Sequence, residues 1–392
     1  MAKKAKTKKT PEQNGGVKLD SIIESQNKFH GPGTLITGVE LKRDPPRLPT
    51  GVFAVDYAIG GGLPLHGTTC FWGADASGKS NLCVNAVQMT HSICWKCFQL
   101  LSLCKCNEPY RQRAAVIDVE GSFDRSWAEA IGADPEKYVM AVADYGEQYL
   151  NIADSVIRAD DCGLVVIDSL AALVPSVEMD GDAEDQHYAL QARMIGRMVR
   201  KMKQRLIRER KRGHPCTVLF VNQMRVKIGQ LYGSNETMSG GMQLRHEFSL
   251  LLRCAKASMS EREKTKYVDK STGRNYAQKY SFSIRKEKVL TLAGTGEYFR
   301  VLRSKPSDGL TKGKIEDYNT LMKHAKEVGI VKSAGSSWYY FSHKAKKQED
   351  IKTLWRKSWK EKVRTQQEII KRTKRRMQDD AKEEANGQSE KG

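Results

Sequence analysis

Residues 68–92 read TTCFWGADASGKSNLCVNAVQMTHS, and GADASGKS at 73–80 fits the pattern G-x4-G-K-[ST]. TTCFWG is strand-like, and the segment from Ala76 onward has the composition of a helix. A glycine-rich turn between such a strand and helix leaves backbone N–H groups free to curl around phosphate oxygens at a helix N-terminus. Lys79 is then placed for terminal phosphates and Ser80 for Mg²⁺. The alternative is an ordinary glycine-rich turn, which the flanking elements disfavour.

Outward from this loop, short apolar runs alternate with helical stretches. AAVIDVE (114–120), LVVID (164–168) and TVLFVNQ (217–223) are continuous apolar strands that end in polar residues. Helical stretches fall at 125–131, 148–157 and 189–210. Buried strands separated by helices predict an α/β fold around a mostly parallel sheet, with ligands at the carboxyl ends of the strands. Asp168 ends one strand and is the natural Mg²⁺ carboxylate; capping the next helix is its other reading. Glu120 stands on the same rim, where a carboxylate can deprotonate an attacking water. Gln223 ends the third strand, where an amide can sense a terminal phosphate.

The chain has 392 residues, 39% of them hydrophobic, and 66 Lys+Arg against 46 Asp+Glu give a net charge of +20. Such a composition supports a sizeable core and excludes wholesale disorder. No apolar run reaches the ~18 residues of a membrane helix, and no apolar segment follows the lysine-rich start, so neither a membrane span nor a secretory signal is expected. The excess charge is concentrated near the ends. Five lysines stand in the first ten residues, residues 344–376 carry a net +10, and the last sixteen are net acidic. A polyanion partner is the first suggestion, nucleic acid before membrane, with solubilising tails as the alternative.

Two long segments follow strand ends: PSVEMDGDAEDQHY (175–188) and MRVKIGQLYGSNETMSGGMQLR (224–245). Mobile loops of this kind suit a polymeric ligand with a phosphodiester backbone. Beyond Cys254 polar strands take over, and from about 312 a small helical region follows, read as helix at 315–328 and as one long basic helix at 350–376.

Together these stretches resemble the RecA family of homologous-recombination ATPases, on its bacterial and phage side, over roughly residues 17–375. The likeness rests on PTGVFAVDYAIGGGLPLHG (49–67), GADASGKS, VIDVEGSFD (116–124), LVVIDSLAALVP (164–175), LQARMIGRMVRKM (190–202), FVNQMRVKIGQLYGSNETMSGG (220–241), IRKEKV (284–289) and AKEVGIVKSAGSSWYYF (325–341). The resemblance implies a P-loop NTPase core of RecA type with a small α-rich C-terminal domain. It divides the chain into a disordered basic arm (1–16), an N-terminal helix and linker at the subunit interface (17–66) and the ATPase core (67–310). A DNA-gateway domain (311–376) and a disordered tail (377–392) complete the division.

ATP and Mg²⁺ are the implied cofactors. Gly73, Ala74, Asp75, Ala76, Ser77, Gly78, Lys79, Ser80 and Asn81 would cradle the nucleotide's phosphates, with Ser80 and Asp168 on Mg²⁺. Trp127 would stack on adenine beside Asp124. Glu120 is the implied catalytic base, Gln223 the coupling glutamine, and Lys286 and Lys288 the pair reaching the ATP of a neighbouring subunit. Tyr188, Arg193, Arg200, Arg225, Lys227, Ile228, Ser239, Gly240 and Gly241 would contact DNA, although Tyr188 also reads as a residue packing on its own loop.

The implied activity is a DNA-dependent ATPase that forms helical filaments on single-stranded DNA, pairs it with duplex DNA and exchanges strands. Single-strand-binding and mediator proteins are its implied partners. A bacterial cytoplasm, or that of a host if the chain is phage-encoded, is its implied compartment. A hexameric helicase and an ATP-holding DNA-binding adaptor are the rival readings. The sequence departs from the family at Asn81, where a hydroxyl residue is usual, and at His246, where an aromatic is usual.

Cys94, Cys97, Cys104 and Cys106 lie in an apparent insertion at 91–110. Four thiolates suit structural, tetrahedral Zn²⁺, with His91 as a substitute ligand; packing as small apolar residues is the alternative. Cysteines 70, 83, 162, 216 and 254 read as core positions.

Overall fold

The computed structural model describes residues 18–40, 45–179, 188–226, 236–334, 337–341, 343–345 and 347–389. The expected basic arm at 1–16 lies outside them. Two compact units divide at Asp44/Pro45. The first contains the helix Leu19–His30, which has no buried residue and carries Leu19 and Phe29 exposed.

The second unit is built on a ten-stranded sheet. Its strands, in chain order, are β1 (Thr68–Gly73), β2 (Arg113–Asp118), β3 (Tyr138–Ala141), β4 (Cys162–Asp168) and β5 (Thr217–Val226), then β6 (Glu236–Met238), β7 (Leu250–Lys256), β8 (Ala277–Glu287), β9 (Thr295–Val301) and β10 (Ile315–Glu316). The order across the sheet is β10-β9-β8-β7-β1-β5-β4-β2-β3, with β6 paired to β5. From β7 to β3 every neighbouring pair is parallel. β8, β9 and β10 continue the sheet antiparallel. The fold class expected from the alternating apolar strands is therefore the one observed.

Side-chain alternation builds a core on each face of this sheet. Phe71, Val116, Val166, Leu219 and Leu252 face one side with Leu82, Ala86 and Ala128. Cys70, Ile117, Val165, Phe220 and Leu251 face the other, with Leu150 from helix Gly146–Val156 and Val199 and Met202 from helix Tyr188–Arg212. All five cysteines assigned to the core are buried. Among the described residues no helix is long and apolar enough to cross a membrane.

The C-terminal region has its own core of Leu321, Met322, Ile330, Tyr340, Ile351, Trp355 and Ile369, and Phe53 inserts into it. Four local expectations change here. Ile315–Glu316 is a strand, pairing with Phe299 and Arg300, so the helix starts only at Tyr318. A three-stranded antiparallel sheet (Val331–Ala334, Ser337–Tyr340, His343–Ala345) accompanies the helices.

The long basic helix is two, Gln348–Lys357 and Trp359–Ser389, separated at Ser358. Ser358 is extended, and its hydroxyl accepts from the Glu361 N–H, so a serine cap restarts the helix. The second helix includes residues 377–389, which were expected to be disordered. Their Met, Gln, Ala, Lys and Glu are good helix formers, and Arg375–Asp379 adds an i,i+4 pair.

Candidate nucleotide site and DNA groove

Parallel pairing sets the site. Gly73 is level with Gln223, and Asp118 with Asp168, so the loop after β1 and the polar strand ends share the carboxyl rim. A Cβ at Gly73 would stand 2.1 Å from the Cys254 carbonyl oxygen, so only glycine lets the loop leave the sheet there. Gly78 is left-handed (φ +87°) and caps helix Lys79–Ser92. Lys79 lies buried along the loop, its ammonium donating to the carbonyls of Gly73 (3.1 Å) and Ala74 (2.7 Å). Residues 76–81 line a cavity with Gln278, Tyr280, Leu302 and Lys256.

Beside the loop, Ser80 and Asp168 line one cavity. Burial pushes the Asp168 carboxyl up to about 6; the nearby Ser80 hydroxyl opposes the rise, while the negative neighbours Glu120 and Asp118 add to it. A hydroxyl and an under-compensated carboxylate at a helix start are hard oxygen donors that fit a divalent cation such as Mg²⁺. The Asp168–Ser169 peptide is cis. Glu120 Oε1 accepts from Ser169 Oγ at 2.5 Å and from Gln223 Nε2 at 3.2 Å. Donors from two neighbouring strand ends thus converge on one carboxylate oxygen of a third.

Trp127 and Asp124 border that cavity with Ser80, Asn81 and Asp168. Asp124 caps helix Arg125–Ile131 by accepting from the Trp127 N–H. The Trp127 indole donates to Asn81 Oδ1 at 2.6 Å, and Lys312 lies 5.6 Å from the ring centroid. Arg300, fully buried, donates to the Asn81 carbonyl and to the Asn85 side chain. Asn81, expected on phosphate, therefore spends its side chain on the indole.

Lys286 and Lys288 are not brought to this site. Lys286 pairs with Leu251, which is level with Cys70, and the Lys288 N–H donates to the Ser249 carbonyl beside Thr68. They stand three to five residues, about 10–16 Å, down the sheet from Gly73, at its amino rim. Their ammonium groups donate to the Arg245 (2.6 Å) and His246 (3.4 Å) carbonyls. Burial, then the neighbouring Lys288, lowers the Lys286 pKa. His246 itself is exposed.

A groove of about 840 Å³ gathers Arg193, Arg197, Arg200 and Lys201 with Gly240. The three arginines are exposed at helical spacing on Tyr188–Arg212, so one face presents them together. Gly240 is left-handed (φ +89°) and opens helix Gly241–Glu247. Arg225 is exposed at the hairpin formed by β5 and β6, where Arg225 is level with Thr237. An Arg253–Glu236 ion pair fixes the base of this hairpin. Ser239, expected on DNA, is instead buried, its N–H on the Gln223 carbonyl and its own carbonyl on Asn222. Tyr188 begins its helix. Lys227 and Ile228 lie outside the described residues.

Residues that sequence reasoning missed have recoverable signals. Arg197 stands four after Arg193 on the same helix. Lys256 ends the strand next to β1, and Ser169 follows the rim aspartate.

Residues 17–296 match the family model described as RecA N-terminal domain. The chain belongs to the RecA family. The matched range contains the glycine-rich loop, the rim carboxylates, the groove and the insertion. Protein RecA of Chloroherpeton thalassium is 30% identical over 342 residues, covering 86% of this chain and 84% of that one. Protein RecA of Arthrospira platensis is 29% identical over 329 residues (83% and 78%). Protein RecA of Acidothermus cellulolyticus is 35% identical over a shorter 239 residues (60% and 62%).

Cys94, Cys97, Cys104 and Cys106 come together, their sulfurs all within 4.8 Å of one another, in a set that could hold a metal ion. His91 is not part of it; its Nε2 accepts from the Asp134 N–H.

Proposed function

We propose that the chain is a DNA-dependent ATPase that assembles as a filament on single-stranded DNA, pairs it with homologous duplex and exchanges strands. One observation carries this reading. The carboxylate suited to activating water, Glu120, is hydrogen-bonded to Gln223, and β5 leads from Gln223 through Arg225 into the 227–235 segment. Phosphate chemistry and a basic loop thus share a single strand.

In this reading Glu120 takes a proton from water as the water oxygen attacks the γ-phosphorus and ADP leaves. Ser169 orients the base. Gln223 exchanges its Glu120 partner for the γ-phosphate and shifts the hairpin as it does so. Ser80 and Asp168 would hold Mg²⁺, which would neutralise phosphate charge. Arg193, Arg197, Arg200 and Arg225 bind the DNA backbone, and Lys286 and Lys288 serve the nucleotide of a neighbouring copy.

A joint-molecule assay with homologous single-stranded and duplex DNA tests the proposal, together with electron microscopy in a non-hydrolysable ATP analogue. Expected are ATP-dependent joint molecules and open helical filaments. Closed rings with directional unwinding, or DNA binding without joint molecules, would overturn it.

A further inference from the structure

The insertion at 91–110 has no part in the chemistry above, yet it is tightly organised. Ile93 and Leu100 bridge as antiparallel partners, the Cys94 N–H donates to the Gln99 carbonyl, and the Phe98 N–H returns to the Cys94 carbonyl. This turn carries the first two cysteines, with Phe98 left-handed at φ +56°. Cys104 and Cys106 approach from the other side, Cys97 Sγ lying 3.6 Å from Cys104 Sγ. Thiolates around tetrahedral Zn²⁺, each about 2.3 Å from the ion, stand about 3.8 Å apart. The spacing matches a metal cage and is too long for a disulfide, whose sulfurs lie about 2.05 Å apart.

A backbone N–H also points at one of the sulfurs. Cys106 N–H donates to Cys104 Sγ at 3.3 Å. Such donors orient thiolate ligands and spread their charge. Packing as small apolar side chains does not account for the cluster, because Cys97, Cys104 and Cys106 are only half-buried while Cys70, Cys83, Cys162, Cys216 and Cys254 are fully buried.

The other face of the insertion is structural. Ile93, Trp95 and Leu100 are buried in the core that also holds Val363, and Phe98 and Leu103 pack against it. The Trp95 indole donates to the Thr90 carbonyl at 2.7 Å. Gln367, on the helix Trp359–Ser389, donates to the Phe98 carbonyl at 3.3 Å. The turn that offers two cysteines to a metal is therefore the turn that meets the C-terminal helix.

We propose that Cys94, Cys97, Cys104 and Cys106 bind one Zn²⁺ and that the ion holds the insertion as a buttress against the C-terminal basic helix. Without the ion, the buried Cys94 and the half-exposed Cys97, Cys104 and Cys106 are no longer tied to one centre, and the helix loses its support at Gln367. The inference is independent of the recombinase reading.

Metal analysis of the full chain purified under reducing conditions should find one zinc per chain. Co²⁺ exchanged into the wild-type protein should give thiolate-to-cobalt charge transfer and tetrahedral d–d bands, a readout that needs no variant to fold. Cys97→Ser and Cys104→Ser should lose the zinc. On chelation, amide exchange in residues 359–376 should become about tenfold faster, while binding of an ATP analogue, measured in the same samples, stays unchanged. Gln367→Ala should speed that exchange with zinc retained. A chain that keeps four free thiols and takes up neither Zn²⁺ nor Co²⁺ overturns the site. Bound zinc whose removal leaves residues 359–376 unaltered overturns the buttress.

Discussion

At the carboxyl rim of the sheet, Glu120, Gln223 and Ser169 are already joined around one oxygen, whereas at the amino rim Lys286 and Lys288 donate to backbone carbonyls of their own chain. The first rim has the glycine-rich loop, a hydrogen-bonded carboxylate and oxygens suited to a divalent cation. The second has cations placed about 10–16 Å from that loop. On the proposed function, the difference teaches that one chain presents the two halves of a phosphate-transfer site in different places. Complete chemistry in this reading needs the cation rim of one copy beside the acid rim of another, which ties turnover to assembly.

The largest expected effect tests the acid rim. Glu120→Gln should lower ATP turnover on single-stranded DNA by about 10²–10⁴-fold with nucleotide affinity little changed. Unchanged turnover would remove Glu120 as the base. Next, Lys286→Ala should cost about 10²-fold in DNA-stimulated turnover while leaving ATP-analogue affinity of the dilute chain intact. Mixing it with Glu120→Gln should restore part of the activity, since each supplies the rim the other lacks. Weakened nucleotide binding by dilute Lys286→Ala chains would break the comparison, because the cation would then serve its own site.

A third prediction concerns the strain of holding acids together. Asp168 titrates at about 6 when folded against an ordinary 3.8, chiefly because it is buried. The folded chain thus binds this proton more firmly than the unfolded one. The resulting stabilisation is fully present below pH 3.8 and is lost as pH rises through about 6. In buffer free of nucleotide and Mg²⁺, Asp168→Asn should remove this loss and be more stable than the parent at pH 7.5 by on the order of 2–3 kcal/mol. Denaturant midpoints across pH 4.5–7.5 measure it. Parallel curves for the two proteins would show that burial of the charge does not govern Asp168.

The smallest effect lies in the groove. Arg193→Ala should lower DNA affinity several-fold for all sequences alike and reduce the slope of log affinity against log salt by about one. Arg197→Ala should do the same, and an unchanged slope would take that arginine off the phosphate backbone.

The rim was legible in the sequence because buried parallel strands are continuous apolar runs, so the polar residue ending each one stands out, as at Asp168 and Gln223. The glycine-rich turn announced itself for the same reason, through its flanking strand and helix. Less legible were features set by partners distant in the chain. Ile315 and Glu316 are periodic enough for a helix but are claimed by Phe299 and Arg300. Ser239 looks like a loop residue, yet Asn222 and Gln223 draw its backbone inward. The break at Ser358 is a one-residue capping choice inside a strongly helical stretch. Positions of Lys286 and Lys288 were readable, but their distance from the phosphate loop came only with strand register.

Asn81 gives its side chain to the Trp127 indole and its carbonyl to Arg300. Trading it for a shorter hydroxyl residue would strand an indole N–H, and trading Trp127 alone would strand an amide, each at a cost of about 1–3 kcal/mol where buried. The two positions are therefore coupled, and a change at one is best tolerated when the other changes with it.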